Sequence, residues 1–162
     1  MTHRYLIGLG SNIPHPVYGK PAQVVRAAFG ELDKLGSLEM ASPVIGSAPL
    51  GPSRRRYANA AAMIESSEAP SSLLRQLKKI ERAFGVRRGG RWQARVLDLD
   101  IIMWSGGIWA SSTLAIPHPH FRQRAFVLGP ASAIAPLWRD PISSLSLRQL
   151  NARLTKPRPT TR

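Results

Sequence analysis

The sequence contains no cysteine. That excludes a disulfide framework, a thiolate zinc site and a cysteine nucleophile, and it fits a reducing compartment. Acid is scarce: nine Asp and Glu stand against 23 Lys and Arg, for a formal net charge of +14. Long apolar runs are missing too. The longest stretch free of charged side chains, Ile101 to Phe121, is interrupted by Gly106-Gly107, Ser111-Ser112 and Pro117, which a membrane-spanning helix would have to absorb. The N-terminal apolar run, Tyr5 to Leu9, ends at Gly10-Ser11-Asn12 and is too short for the core of a secretory signal. A cytoplasmic location with no membrane partner is therefore expected. What is present is ordinary: 162 residues, 43% hydrophobic and 20% charged, enough for one core without a staple. We expect a single domain over residues 1–155 and a basic, disordered tail over residues 156–162.

The positive charge is concentrated. Residues 1–53 carry a net +1, residues 54–95 a net +8 and residues 96–162 a net +5, and arginine supplies 18 of the 23 cations. A field of this sign attracts polyanions, whether nucleic acid, anionic lipid or nucleotide phosphate. Arginine favours bidentate grips on phosphate oxygens. Much of this charge also fits a solvated surface. The cluster around Arg87, Arg88, Arg91 and Arg95 differs, because an acidic pair stands directly after it in the chain.

Strands and helices alternate along the chain. Arg4–Leu9 predicts a first strand. Val24, Val25, Ala28, Leu32 and Leu35 form a helical stripe after Pro21, closed by Gly36. Leu38–Ala48 reads as a strand broken by Pro43, and Tyr57–Ser66 as another. Pro70 opens an amphipathic helix with Leu73, Leu74, Leu77, Ile80 and Phe84 on one face, and Gly85 stops it. Val96–Trp104 is the strongest strand, and Ser105-Gly106-Gly107 predicts a turn into a hairpin partner from Ile108. Phe126–Ala135 and the Leu147, Leu150, Leu154 stripe predict two last helices. The expectation is an α+β fold, a largely antiparallel sheet with helices on its faces.

Asp98 and Asp100 lie inside Val96-Leu97-Asp98-Leu99-Asp100-Ile101-Ile102-Met103. Alternation on a strand puts both carboxylates on one face, roughly 6.5–7 Å apart along the chain. Leu97, Leu99, Ile101 and Met103 are expected on the other face, in the core. Two aligned like charges repel and need cations to neutralise them. Magnesium suits that need, because it takes one or two carboxylates together with waters and substrate phosphates. A merely solvated strand face is the alternative reading of an isolated D-x-D. Against it, Asp is disfavoured in strand interiors, and these two directly follow four arginines. Acids for metal beside arginines for phosphate is the layout of a nucleotide-dependent transferase.

The run Arg91-Trp92-Gln93-Ala94-Arg95-Val96-Leu97-Asp98-Leu99-Asp100-Ile101 resembles the signature of the 6-hydroxymethyl-7,8-dihydropterin pyrophosphokinase family of folate biosynthesis. Further motifs match in the family's order: Gly8-Leu9-Gly10-Ser11-Asn12, Ser47-Ala48-Pro49-Leu50-Gly51, Tyr57-Ala58-Asn59-Ala60-Ala61, Pro117-His118-Pro119-His120, and Arg124-Ala125-Phe126-Val127-Leu128. The resemblance implies a ferredoxin-like αβα sandwich. It implies attack of the pterin hydroxymethyl oxygen on the β-phosphorus of ATP, with release of AMP. Two Mg2+ ions would be bridged by Asp98 and Asp100, with Arg95 completing the catalytic set. Arg87, Trp92, Arg95, Ile101, His118 and Arg124 would meet the nucleotide. Ser47, Leu50, Tyr57, Asn59 and Phe126 would form the pterin pocket, with Asn59 on the ring's edge and the two aromatic rings on its faces. Glu81 matches a family position near the nucleotide and reads equally well as a solvated helix acid. The implied partners are the pterin and ATP, acting on a monomer.

The chain departs from the family in places. Gln93-Ala94 stands where Gly-Pro is usual, Val86 replaces an arginine, and Thr113 and Ala115 occupy nucleotide-contact positions. A nucleic-acid-binding module is the competing reading of the +14 charge. The acidic pair inside the basic region speaks against it, since it repels phosphate unless a metal is bound. A family fold kept as a non-catalytic partner is a further alternative.

Overall fold

The strand β1 (His3–Ser11) carries buried side chains on both faces. Tyr5, Ile7 and Leu9 enter one core cluster and Leu6 enters another, which is the alternation a strand covered on both sides requires. The structure is a computed structural model, and it describes residues 1–47, 56–85, 95–157 and 159. After β1 come α1 (Pro21–Asp33), β2 (Ser37–Ala41), β3 (Ile45–Ser47), β4 (Tyr57–Ser66), α2 (Pro70–Phe84) and β5 (Asp98–Trp104). The chain continues through β6 (Trp109–Ala110), β7 (Ala115–Ile116), a 3-10 turn (Phe121–Gln123), α3 (Ala125–Ile134) and α4 (Leu147–Thr155).

The main sheet runs β2-β4-β1-β5, with β3 also paired to β4, and every pairing is antiparallel. Helices α1 and α2 cover one face, packing Val24, Val25, Leu32, Leu73 and Leu77 onto Tyr5, Ile7, Leu9, Leu97 and Leu99. On the other face, Phe121, Leu128 and Leu147 pack onto Leu6, Met63, Ile102 and Met103. The layers are helix, sheet, helix, and the strand order is that of a ferredoxin-like sandwich. The half of the second face that carries Gly10, Asn59 and Asp98 contributes nothing to the second cluster.

The helix limits follow local chemistry. Pro21 and Pro70 open α1 and α2, where a missing N–H costs nothing. Gly85 ends α2 at a φ of +104°, a conformation that favours glycine. Ser146 and Gln149 cap α4 reciprocally, through bonds of 3.1 Å and 2.9 Å.

Two expectations need correction. β5 has no hairpin partner after the Ser105–Gly107 turn: β6 pairs with β7 in a separate two-stranded sheet. The tight turn that brings Ser111 N–H to Leu114 C=O makes that pairing local, while Trp109 packs edge-on against Trp104. Met103 does not share a face with Leu99. The β1–β5 register shifts between Leu6 and Ile7, leaving Ile102 as an extra residue, and Met103 joins Leu6 in the second cluster. One inserted residue reverses the facing of the rest of the strand. Of the expected tail, residues 158 and 160–162 lie outside the described residues.

Gly36, between α1 and β2, packs against backbone. A Cβ there would lie 2.1 Å from the carbonyl oxygen of Glu65. Gly36→Ala is expected to destabilise the fold by about 1–3 kcal/mol through overpacking. Urea denaturation measures this, and an unchanged midpoint would show that the β2–β4 backbone yields without strain.

Candidate active site

The sheet register builds the site. Asn59 on β4, Gly10 on β1 and Asp98 on β5 stand side by side, and Ala61, Gly8 and Asp100 form the next row on that face. The central strand contributes only glycines to these rows. A Cβ at Gly10 would come within 3.2 Å of the Asn59 Oδ1, and one at Gly8 within 3.2 Å of Ile102 Cδ1. The glycines thus leave a trough between an amide on one strand and two carboxylates on another. A cavity of about 200 Å³ occupies this trough, lined by Ser47, Tyr57, Asn59, Asp98, Asp100, Arg124 and Phe126.

Asn59 and Arg124 in its lining, and His118 nearby, each have a partner. The Asn59 Nδ2 donates to the Ser47 Oγ at 2.6 Å, so the buried amide is oriented before any ligand arrives. The Arg124 guanidinium lies 5.8 Å from the centre of the Phe126 ring, within cation–π range. His118 donates its backbone N–H to the Ile102 carbonyl at 2.9 Å. Its Nδ1 accepts the His120 N–H at 3.1 Å, so neutral His118 carries its ring proton on Nε2. Burial holds the His118 pKa below the usual histidine value, partly offset by the Asp100 carboxylate.

Asp98 is half-exposed and lies 3.5 Å from the Arg95 Nε. Burial pushes its pKa up to about 6, partly offset by Arg95 and reinforced by Glu81 and Asp100. Among the described residues, Asp100 is the one acid with neither a hydrogen bond nor an ion pair. Behind the pair sits Glu81, only 2% exposed. Its carboxylate accepts from Arg95 Nη1 at 2.6 Å, from Lys78 Nζ at 3.3 Å and from the Leu99 N–H at 3.1 Å. Leu99 is the residue between the two aspartates, so Glu81 pins the peptide that carries them.

Seven of the residues expected from the sequence thus meet in one cavity, with Arg95 ion-paired to Asp98 and His118 within the electrostatic reach of Asp100. Ile101 is not brought there: it is buried under α1 and α2, on the face opposite the aspartates. Leu50, Arg87 and Trp92 lie outside the described residues. Glu81 is not a solvated helix acid. Its position four residues after Leu77 and three before Phe84 places it on the apolar stripe, a signal available in the sequence. The floor role of Gly8 and Gly10 depends on register, which no local motif reveals.

The donor set suits magnesium. It consists of hard carboxylate oxygens facing an open cavity, and no group of three or more acid, histidine or cysteine side chains gathers as a cage among the described residues. An ion that keeps waters and binds substrate phosphates needs only one or two carboxylates.

Comparison with known proteins gives the family and the fold. Residues 6–136 match the family described as 7,8-dihydro-6-hydroxymethylpterin-pyrophosphokinase. A 2-amino-4-hydroxy-6-hydroxymethyldihydropteridine pyrophosphokinase of Synechocystis sp. is 35% identical over 150 residues, covering 91% of this chain and 74% of the relative. The enzyme of the same name from Pseudomonas aeruginosa is 35% identical over 144 residues, covering 87% and 86%. Among solved structures, Plasmodium falciparum HPPK-DHPS with pteroate superposes with a TM-score of 0.72 at 12% identity, over 94% of this chain. This chain spans only 44% of that longer one, and the likeness at such identity concerns the fold.

The raised Asp98 pKa has a consequence for stability. The folded carboxyl releases its proton near pH 6 and the unfolded one near pH 4, so the folded state holds more protons between those values. Stability without metal therefore falls as pH rises from about 4 to about 6, then levels. Asp98→Asn removes this penalty. The variant is expected to be more stable than the parent at pH 8 and no more stable at pH 4, as urea denaturation at the two pH values would show.

Proposed function

The chain belongs to the 7,8-dihydro-6-hydroxymethylpterin-pyrophosphokinase family, and on that premise we propose how its own residues carry the family's reaction. That reaction transfers pyrophosphate from ATP to the hydroxymethyl group of 6-hydroxymethyl-7,8-dihydropterin and releases AMP. The observation that carries the proposal is the glycine-floored trough with an oriented amide on one wall and an unpartnered carboxylate on the other.

A flat heteroaromatic with donors and acceptors on its edge needs ring faces and an amide that matches the edge. Tyr57 and Phe126 supply the faces, and Asn59, oriented by Ser47, supplies the amide. Bound this way, the pterin directs its hydroxymethyl oxygen toward the aspartate side. That oxygen forms a bond to the β-phosphorus of ATP. The bond from β-phosphorus to the oxygen it shares with the α-phosphorus breaks, AMP leaves with that oxygen, and the hydroxyl proton is released to solvent.

Asp98 and Asp100 would hold two Mg2+ ions, which supply charge neutralisation and phosphate orientation when bound. Arg95, steadied by Glu81, brings a guanidinium fork to phosphate oxygens beside Asp98. Arg124 does the same from the Phe126 side of the cavity. His118, neutral with its proton on Nε2, offers that N–H to the nucleotide. The chain is proposed to work as a cytoplasmic monomer on two small molecules, with no nucleic-acid partner.

The test is AMP formation from ATP and the hydroxymethyl pterin by the purified chain. Activity should require magnesium and vanish with a chelator. Asp98→Ala and Asp100→Ala should each lose about 100-fold or more, the scale of removing a group that stabilises transition-state charge, with circular dichroism unchanged. Full turnover in both variants would remove the aspartates from the mechanism. No AMP from the parent chain would overturn the reading itself.

A further inference from the structure

The segment from Pro117 to Arg124 carries both His118 and Arg124, yet it forms no strand and no long helix. Three attachments hold it. The His118 N–H bonds to Ile102 on β5, and Phe121 is wholly buried in the second core cluster. The third attachment is Arg122, in the middle of the 3-10 turn. Its Nε donates to Asp140 Oδ2 at 2.6 Å and its Nη2 to Oδ1 at 2.8 Å, a bidentate fork.

Asp140 is 0% exposed, and its carboxylate is itself fixed. It also accepts from Ser143 Oγ at 2.7 Å and from the Ile142 N–H at 3.0 Å. The Asp140 N–H bonds to the Leu145 carbonyl, and its carbonyl accepts the Ser144 N–H. These contacts form a rigid socket just ahead of α4. Asp140 lies beyond residue 136, where the family match ends, so the match assigns it no role.

A buried ion pair is weak evidence for stability, because desolvation offsets much of the attraction. What a bidentate fork supplies is orientation. The turn it orients is short and closed at both ends by site residues: Arg124 donates its N–H to the Phe121 carbonyl, and the His118 carbonyl accepts from the Phe121 N–H. Rotation of this turn would displace both side chains.

We propose that Arg122 and Asp140 are a positioning pair, through which the segment before α4 sets where His118 and Arg124 meet the nucleotide. This rests on the pyrophosphokinase reading above and extends it to a residue outside the family match. Neither residue touches the cavity lining around Asp98 and Asp100 as a member of it.

The experiment compares Asp140→Asn and Arg122→Lys with the parent full-length chain, in steady-state kinetics for ATP and for the pterin and in circular dichroism melts. Asp140→Asn is expected to raise the ATP KM or lower kcat by about tenfold or more, the scale of a small misplacement of a binding group, with the pterin KM within about twofold. Arg122→Lys keeps a charge on Asp140 without the fork and should be intermediate. Combined with Arg124→Ala, the Asp140→Asn effect should shrink, because the pair acts through Arg124. A folded Asp140→Asn variant with parental ATP kinetics would overturn the proposal, as would full additivity with Arg124→Ala, since a mere staple would lower the melting temperature alone. If Asp140→Asn does not fold, Arg122→Lys, which leaves the carboxylate paired, decides by the same comparison. An inactive parent chain is a separate result, which sinks the underlying reading of function.

Discussion

The acidic side of the site is referenced to one buried carboxylate. Glu81 sits on the apolar stripe of α2 with almost no exposure, a position where an unpaired charge would be strongly unfavourable. It is tolerated because three donors converge on it: Arg95, Lys78 and the Leu99 N–H. The last of these matters most for geometry. Among the described residues β5 is an edge strand, so one row of its N–H groups has no neighbouring strand there to bond. Glu81 satisfies the one between Asp98 and Asp100. The same carboxylate orients Arg95, which in turn lies beside Asp98. Helix, edge strand and the Arg95 guanidinium therefore share a single fixed point. Replacing either Arg95 or Lys78 would leave Glu81 under-compensated, so their positions are coupled to core stability and not only to the surface.

The site occupies the part of the sheet that the second helical layer leaves open. That layer packs where β1 and β4 present Leu6 and Met63, and where the bulge turns Met103 toward it. Beyond those residues the face changes to glycine, amide and carboxylate, which offer no apolar area to cover. The arrangement is unfavourable for folding on its own. Asp98 resists ionisation because of its partial burial, and Asp100 has no partner among the described residues. On the proposed reading, such unsatisfied charge would be a reserve of binding energy for a cation and its phosphates, held by a sheet and not by a loop.

Much of this was legible from residue patterns, and the remainder was hidden for physical reasons. The start of α1 and both limits of α2 follow from Pro21, Pro70 and Gly85 and from the periodicity between them, whereas α1 stops at Asp33, short of the expected Leu35. The common face of Asp98 and Asp100 follows from strand alternation alone. The facing of Met103 does not, because a bulge is set by the partner strand, and period-two reasoning cannot see it. Strand propensity around Ile108 signalled a strand but not its partner, and β6 chose the local partner β7. Glu81 was visible as a position on a stripe, yet whether an acid there is buried depends on Arg95, fourteen residues away. Asp140 carried no motif at all. Its role arises from Arg122 reaching it across eighteen residues of chain, a contact made by the packing of α3, α4 and the turn.

The distribution of charge separates exposed cations from held ones. Arg75, Lys79 and Arg82 are exposed and line an open cleft of about 520 Å³ along α2, together with Thr113 and the Glu81-bound Lys78. Exposed cations of this kind raise the local concentration of an anionic substrate and its encounter rate, and salt screens them over about 8–10 Å. Arg95 and Arg124 differ in being held, one by Glu81 and the other at a helix start over Phe126. Held guanidinium groups have already lost side-chain freedom, so in the proposed binding of phosphate less would be lost. The few acids serve the same division. Glu31, Glu39 and Glu65 meet surface partners, whereas Glu81 and Asp140 are buried sockets for arginine. In a chain this basic, an acid left without a partner would be neutralised by neighbouring arginines unless geometry prevented it. Asp100 shares its cavity with Arg124 and lies within the electrostatic reach of Arg95 and His118, yet among the described residues it closes no ion pair with any of them.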